Sequence, residues 1–254
     1  GATRAERLEG VVLALQQTAR STQLPIHATL QEQRLAHQVE QVTHFWIFNG
    51  LSMTATPEAI TEFASRSDVR SITLDETYPA PDLPRPPAES LLSESEANLV
   101  LINAPILWQL GFQGQGIVVA GMDSGVSGSH PDLAGQWRGG TNSWYDPYGE
   151  HTDSPVDLSG HGTATMGVMV GGDAGGTAIG VAPQAEWIAV KIFDDSGQAT
   201  TSAIHLGFQW LLDPDGDPVT PDAPHVVNNS WAIGNTDCDL AFQLDLQALR
   251  AAGI

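Results

Sequence analysis

Two short segments of this chain carry residue types that could do chemistry: Asp123-Ser124-Gly125 and His161-Gly162-Thr163. Asp123 closes the apolar run Ile117 to Met122. Such a run, ended by a small-residue turn, reads as a buried parallel strand. In open α/β sheets, chemistry gathers where these strands end. His161 opens a small-residue stretch, Gly162 to Val170, that predicts a helix packed tightly on the sheet. An Asp and a His so placed are two members of an acid–base–nucleophile triad. The carboxylate fixes the imidazole tautomer, and the ring takes a proton from a hydroxyl. The third member is expected beyond Ile254.

Each residue also has a plainer role. Asp123 could cap its own turn, and His161 could be a core His bonded to a carbonyl. A position between two glycines at a helix start gives His161 an access that a core His does not need. His27, His37 and His44 have no spacing that would bring zinc ligands together. Asp213, Asp215, Asp217 and Asp222 crowd one loop. Their order is not that of an EF-hand, and the loop reads as a solvated acidic turn.

The elements that must hold the pair can be read around it. Residues 1–77 predict a small α+β unit. Leu8, Val11, Val12 and Leu15 are spaced for a helix, Pro25 interrupts, and Leu35, Val39 and Val42 suggest a second helix. A strand is expected over 43–55, a helix opened by Thr56-Pro57, and another strand over 69–74. Residues 78–97 form a linker in which Pro79, Pro81, Pro84, Pro86 and Pro87 exclude helix and sheet. From 98 to 254 the pattern is α/β, with strands near 116–122, 186–192 and 225–230. Helices are expected near 162–171, 200–212 and 239–252, and Ile254 is expected to open a further strand.

The net charge is −20, with 30 acidic residues against 10 basic ones, of which Lys191 is the one lysine. Charge alone therefore disfavours nucleic acid and anionic membrane surfaces as partners. No apolar run approaches the ~18 residues of a membrane span. Cys238 has no second Cys to pair with in the chain.

The run Gly116 to Val126, then His130-Pro131-Asp132-Leu133, then Gly160-His161-Gly162-Thr163, resembles the subtilisin-like serine proteases. The order Asp then His is theirs. Val226-Val227-Asn228-Asn229-Ser230-Trp231 resembles the strand lining their substrate cleft, and with Trp187 to Lys191 is most similar to the bacillopeptidase F branch. The resemblance implies a parallel sheet flanked by helices, incomplete in this chain, preceded by a ferredoxin-like inhibitory prodomain. It implies Asp123 and His161 as catalytic residues and a polypeptide substrate, held between Ser230, Trp231 and Ala232 and a facing edge of Asp195, Ser196 and Gly197. It requires no cofactor for the chemistry, implies a secreted protein, and suggests structural calcium at Asp132, although the later loop, Gly172 to Gly180, is short. The prodomain is expected in the cleft, with maturation in the linker.

Three departures stand out. Ala164 replaces a second His, Ala232 replaces a Gly, and the oxyanion-hole Asn and the Gly-Thr-Ser-Met-Ala motif are absent. The chain alone is expected to be inactive and poorly ordered without a C-terminal part, supplied in cis or as a second chain. The alternative is a pseudoprotease or peptide-binding module without a nucleophile.

Overall fold

A computed structural model describes residues 1–83, 94–233 and 239–254. Pro84, Pro86, Pro87 and Cys238 lie outside them. Thr3 caps the first helix, α1 (Arg4–Leu35), through a reciprocal pair: Thr3 Oγ1 accepts from the Glu6 N–H, and Glu6 Oε2 accepts from the Thr3 N–H at 2.8 Å. Pro25 does not interrupt it. Leu8, Val12 and Ala19 are buried before the proline and Leu30 and Gln33 after it, so packing holds the helix on both sides. Tertiary contact overrides local propensity here. The chain turns back through His37, at φ 56°, so Val39 and Val42 lie in a strand and not in the expected second helix.

That strand is β1 (Val39–Phe45), paired antiparallel with β2 (Gly50–Ala55). The single strand expected over 43–55 is therefore a hairpin, turned over residues 46–49, where Asn49-Gly50 supplies a turn dipeptide and Asn49 has φ 58°. Helix α2 (Pro57–Ala64) starts as expected, with Thr56 Oγ1 accepting from the Ala59 N–H. Residues 69–74 form no strand. Ile72 and Leu74 are exposed, and neither β1 nor β2 pairs with the segment. The described N-terminal region holds one hairpin and two helices, short of a ferredoxin-like sheet. Nor is it isolated: Leu8, Val12 and Ile47 share a core with residues such as Ile188, Val190, Phe208 and Ala248.

Next comes β3 (Thr77–Pro79), and then helices α3 (Ala97–Leu101) and α4 (Ala104–Gln109). Pro79 thus ends a strand in a region expected to exclude one. It sits at the strand's end, where a missing N–H costs little. The remaining elements are β4 (Val118–Asp123), β5 (Trp144–Tyr145), α5 (His161–Val170), β6 (Glu186–Lys191), β7 (Gln198–Thr200), α6 (Thr201–Leu212), β8 (Val226–Asn228) and α7 (Gln243–Ala252). Strands β5, β6, β4 and β8 form a parallel sheet in that order, and β3 pairs antiparallel with β7. Strand β4 is central and buried on both faces, with Ala120 and Met122 in one core and Val119 in the other. No described helix is long and apolar enough to cross a membrane.

Candidate active site

Strand β4 delivers Asp123 at its carboxyl end, beside Lys191 at the end of β6. Helix α5 begins one residue after Gly160, whose φ of 85° gives the tight entry. The two elements then approach so closely that a Cβ on Gly162 would stand 2.0 Å from the Gly125 carbonyl oxygen and 3.1 Å from the Asp123 Cβ. Glycine at 162 lets the helix start reach the strand end.

There, His161 Nδ1 lies 2.7 Å from Asp123 Oδ1. A carboxylate only accepts, so Nδ1 is the donor and the other ring nitrogen keeps its lone pair in the neutral ring. Asp123 is 2% exposed, and its Oδ1 also accepts from the Ser124 N–H at 2.7 Å. Burial raises the Asp123 carboxyl above its ordinary range, against the hydrogen bonds from His161 and Ser124 that favour the charged form. The arrangement can take a proton from a hydroxyl at His161 Nε2 and stabilise the resulting imidazolium.

The model of the subtilase family matches residues 114–251. The chain belongs to the subtilase family. It is 32% identical to Bacillopeptidase F of Bacillus subtilis (strain 168), over 99% of this chain and 19% of that protein. It is 28% identical to the Minor extracellular protease Vpr of the same organism, over 82% of this chain and 27% of that protein, and 32% identical to Thermitase of Thermoactinomyces vulgaris, over 51% and 44% respectively. The chain thus spans about a fifth to a quarter of the length of the first two relatives. The similarity to Bacillopeptidase F runs through the N-terminal region, which the family model does not reach.

The residues expected to face a substrate lie on two segments, one after β8 and one before β7. Ser230 and Ala232 lie just past the end of β8, with Ala232 exposed and Ser230 Oγ accepting from Asn228 Nδ2 at 2.9 Å. Trp231 packs inward: its indole N–H donates to the Met122 carbonyl at 3.0 Å, and its ring meets Phe242 edge-on. That side chain anchors the segment to β4. On the other side, Asp195 spends its carboxylate on Lys191 Nζ and His151 Nε2, each at 3.0 Å. Ser196 turns its hydroxyl to Asp194, and Gly197 has φ 77°. The Gly197 carbonyl already has a donor, the Ala80 N–H at 2.8 Å.

Lys191 went unremarked as a site residue in the sequence. It is 1% exposed and bonds Glu150 and Asp195 at 3.0 Å each. Burial alone would lower its ammonium, and the two carboxylates outweigh that and raise it. Its isolation as the one lysine was the available signal. A second His–Asp pair was also missed. His205 Nδ1 bonds both oxygens of Asp245, at 2.9 and 3.0 Å. Here both residues lie within helices, and Phe48 and Phe242 cover the ring at 4.2 and 5.0 Å.

Asp132, where the resemblance suggests calcium, meets backbone donors in this structure. Its Oδ1 accepts from the Gly175 N–H at 3.3 Å, and its own carbonyl accepts from the Gly172 N–H at 2.8 Å. The short loop closes on this residue with donors, whereas calcium takes about six to eight oxygens. Among the described residues, no three His, Cys, Asp or Glu side chains converge as a metal site.

Proposed function

We propose that this chain is the front part of the proform of a secreted subtilisin-like serine endopeptidase, whose nucleophilic serine lies outside these 254 residues. The observation that carries the reading is the 2.7 Å contact between His161 Nδ1 and Asp123 Oδ1 at the end of the central strand. In the complete enzyme the serine hydroxyl attacks the peptide carbonyl and its proton passes to His161 Nε2. Asp123 holds the ring, and His161 then gives the proton to the leaving amine. The oxyanion donors, including an Asn, come from the same outside part. Secretion is supported by the relative named an extracellular protease.

Two features support the rest of this reading. Strand β3 adds to the edge at β7, and Leu83 Cδ1 lies 3.3 Å from where a Cβ on Gly160 would stand, next to His161. The segment Thr77 to Leu83 thus runs along one substrate-facing edge toward the catalytic His, as an inhibitory tail would. At the other end, Val226, Leu246, Leu249 and Ile254 line a groove of about 500 Å³ beside β8. That groove suits a further strand from the C-terminal part.

The test is a peptidase assay on the chain alone and with that part added. The chain alone stays inert to a serine-directed fluorophosphonate. The complete enzyme is labelled and turns over peptide, and His161→Ala removes turnover. Stoichiometric labelling of the chain alone would overturn the placing of the nucleophile. Inertness of the complete protein would support the non-catalytic alternative.

A further inference from the structure

The Asp123–His161 contact joins a strand end to a helix start, and these two elements need something to fix their separation. The start of helix α5 has no side-chain cap of its own: Gly160 occupies the N-cap position. Asp157, three residues earlier in the chain, does that work. Its Oδ1 accepts from the Ser159 N–H at 3.0 Å, the Gly160 N–H at 2.8 Å and the Ser124 hydroxyl at 2.9 Å. Its Oδ2 accepts from the Thr163 N–H at 2.8 Å and the Thr163 hydroxyl at 2.6 Å. One carboxylate therefore receives five donors from both sides of the catalytic pair.

The two bridging hydroxyls carry the link further. Ser124 Oγ, while donating to Asp157, accepts from the Gly162 N–H at 2.9 Å. Thr163 Oγ1 accepts from the Ser127 N–H at 2.9 Å. The residue after Asp123 and the residue after His161 are thus tied to each other, and both ties pass through hydroxyls held by Asp157. The backbone of Asp157 also bridges to Gly125. Both carboxylate oxygens accept, so an isosteric amide, which replaces one of them with a donating NH2, cannot satisfy this set.

We infer that Asp157 is a positioning residue for the catalytic pair, setting the His161–Asp123 distance by clamping the β4 exit to the start of α5. It does not touch substrate; it acts through Ser124, Thr163 and the helix start. The inference rests on the reading of Asp123 and His161 as a catalytic pair.

The experiment uses the chain together with its C-terminal part. Imidazole NMR follows the downfield proton on His161 Nδ1, assigned by its loss in His161→Ala, and a peptide assay gives kcat and KM. In Asp157→Asn the resonance broadens or moves toward that of a free imidazole. At the same time kcat falls about a hundredfold, the scale expected of a misplacement near 1 Å, with KM little changed. Ser124→Ala, which removes one tie and leaves the carboxylate, produces a smaller change in the same direction. If Asp157→Asn does not fold, Ser124→Ala alone decides by the same two readouts. An unshifted resonance with unchanged kcat in a folded variant, whatever its Tm, would overturn the inference. Because the resonance needs no turnover, an inactive complete protein would refute the protease reading, while the resonance would still decide whether Asp157 sets the contact between His161 and Asp123.

Discussion

At the scale of single residues, chemistry depends on how burial and partners set charge. Asp123→Asn keeps the shape at position 123 but offers His161 the wrong hydrogen-bonding group, so kcat of the complete enzyme should fall about 10⁴-fold in a peptide assay, with the fold retained. Asp213 is a different case. Burial, followed by the charges of Asp215, Asp222 and Asp217, raises its carboxyl from 3.8 to about 6. Between those values the folded state holds a proton that the unfolded chain has released. Stability therefore falls as pH rises through that window, and the loss persists above it. Asp213→Asn should flatten this fall and raise Tm at pH 7 by about 2–4 °C, the worth of 1 kcal/mol in a chain of this size. Thermal scans from pH 4 to 8 on both proteins check it. His205→Ala should act in the opposite sense. It leaves Asp245, wholly buried and already raised by that burial, without its partner. A loss of about 3–5 kcal/mol in urea denaturation is expected.

At the scale of elements, the site depends on close approach. Gly162→Ala would force the start of α5 away from the Gly125 carbonyl, since no rotamer can relieve a clash at Cβ. The expected cost is about 1–3 kcal/mol in thermal denaturation, with loss of turnover in the complete enzyme. The pairing of β3 with β7 makes a second test. Ala80→Pro deletes the N–H that donates to the Gly197 carbonyl and leaves the rest of the pairing in place. If this segment blocks the cleft, the uncut proform of that variant should turn over peptide faster than the parent. Equal rates would show that the pairing is not inhibitory. The elements read correctly from sequence were those with strong local punctuation: the Thr56-Pro57 helix start, the Thr200-capped α6, and α7 stopped by Gly253 at φ 92°. Pro25 and Val39 misled because the deciding contacts are distant. Packing on both sides of the proline keeps α1 whole, and pairing with Ala55 makes Val39 a strand residue.

At the scale of the whole molecule, two regions of the chain share one core. Leu8, Val12 and Ile47 pack with the sheet and with helices α6 and α7, so the N-terminal region is expected to unfold together with the rest. Limited proteolysis should cut first within 78–97 and leave both flanking regions associated; early cuts in 39–64 would show that the hairpin and α2 are not a folded unit. The sequence by itself determined the family, the order of Asp123 and His161, and the strand and helix that bear them. Each of these is written in contiguous residues with a local pattern. Only the tertiary structure decided what holds the pair in place and what covers the edges. Asp157 looks like any loop aspartate until five donors from separate segments meet on it. Trp231 turns inward to Met122, and the Asp132 carboxylate receives the Gly175 N–H. Those outcomes depend on which groups arrive from elsewhere in the chain, and spacing along a sequence does not encode that arrival.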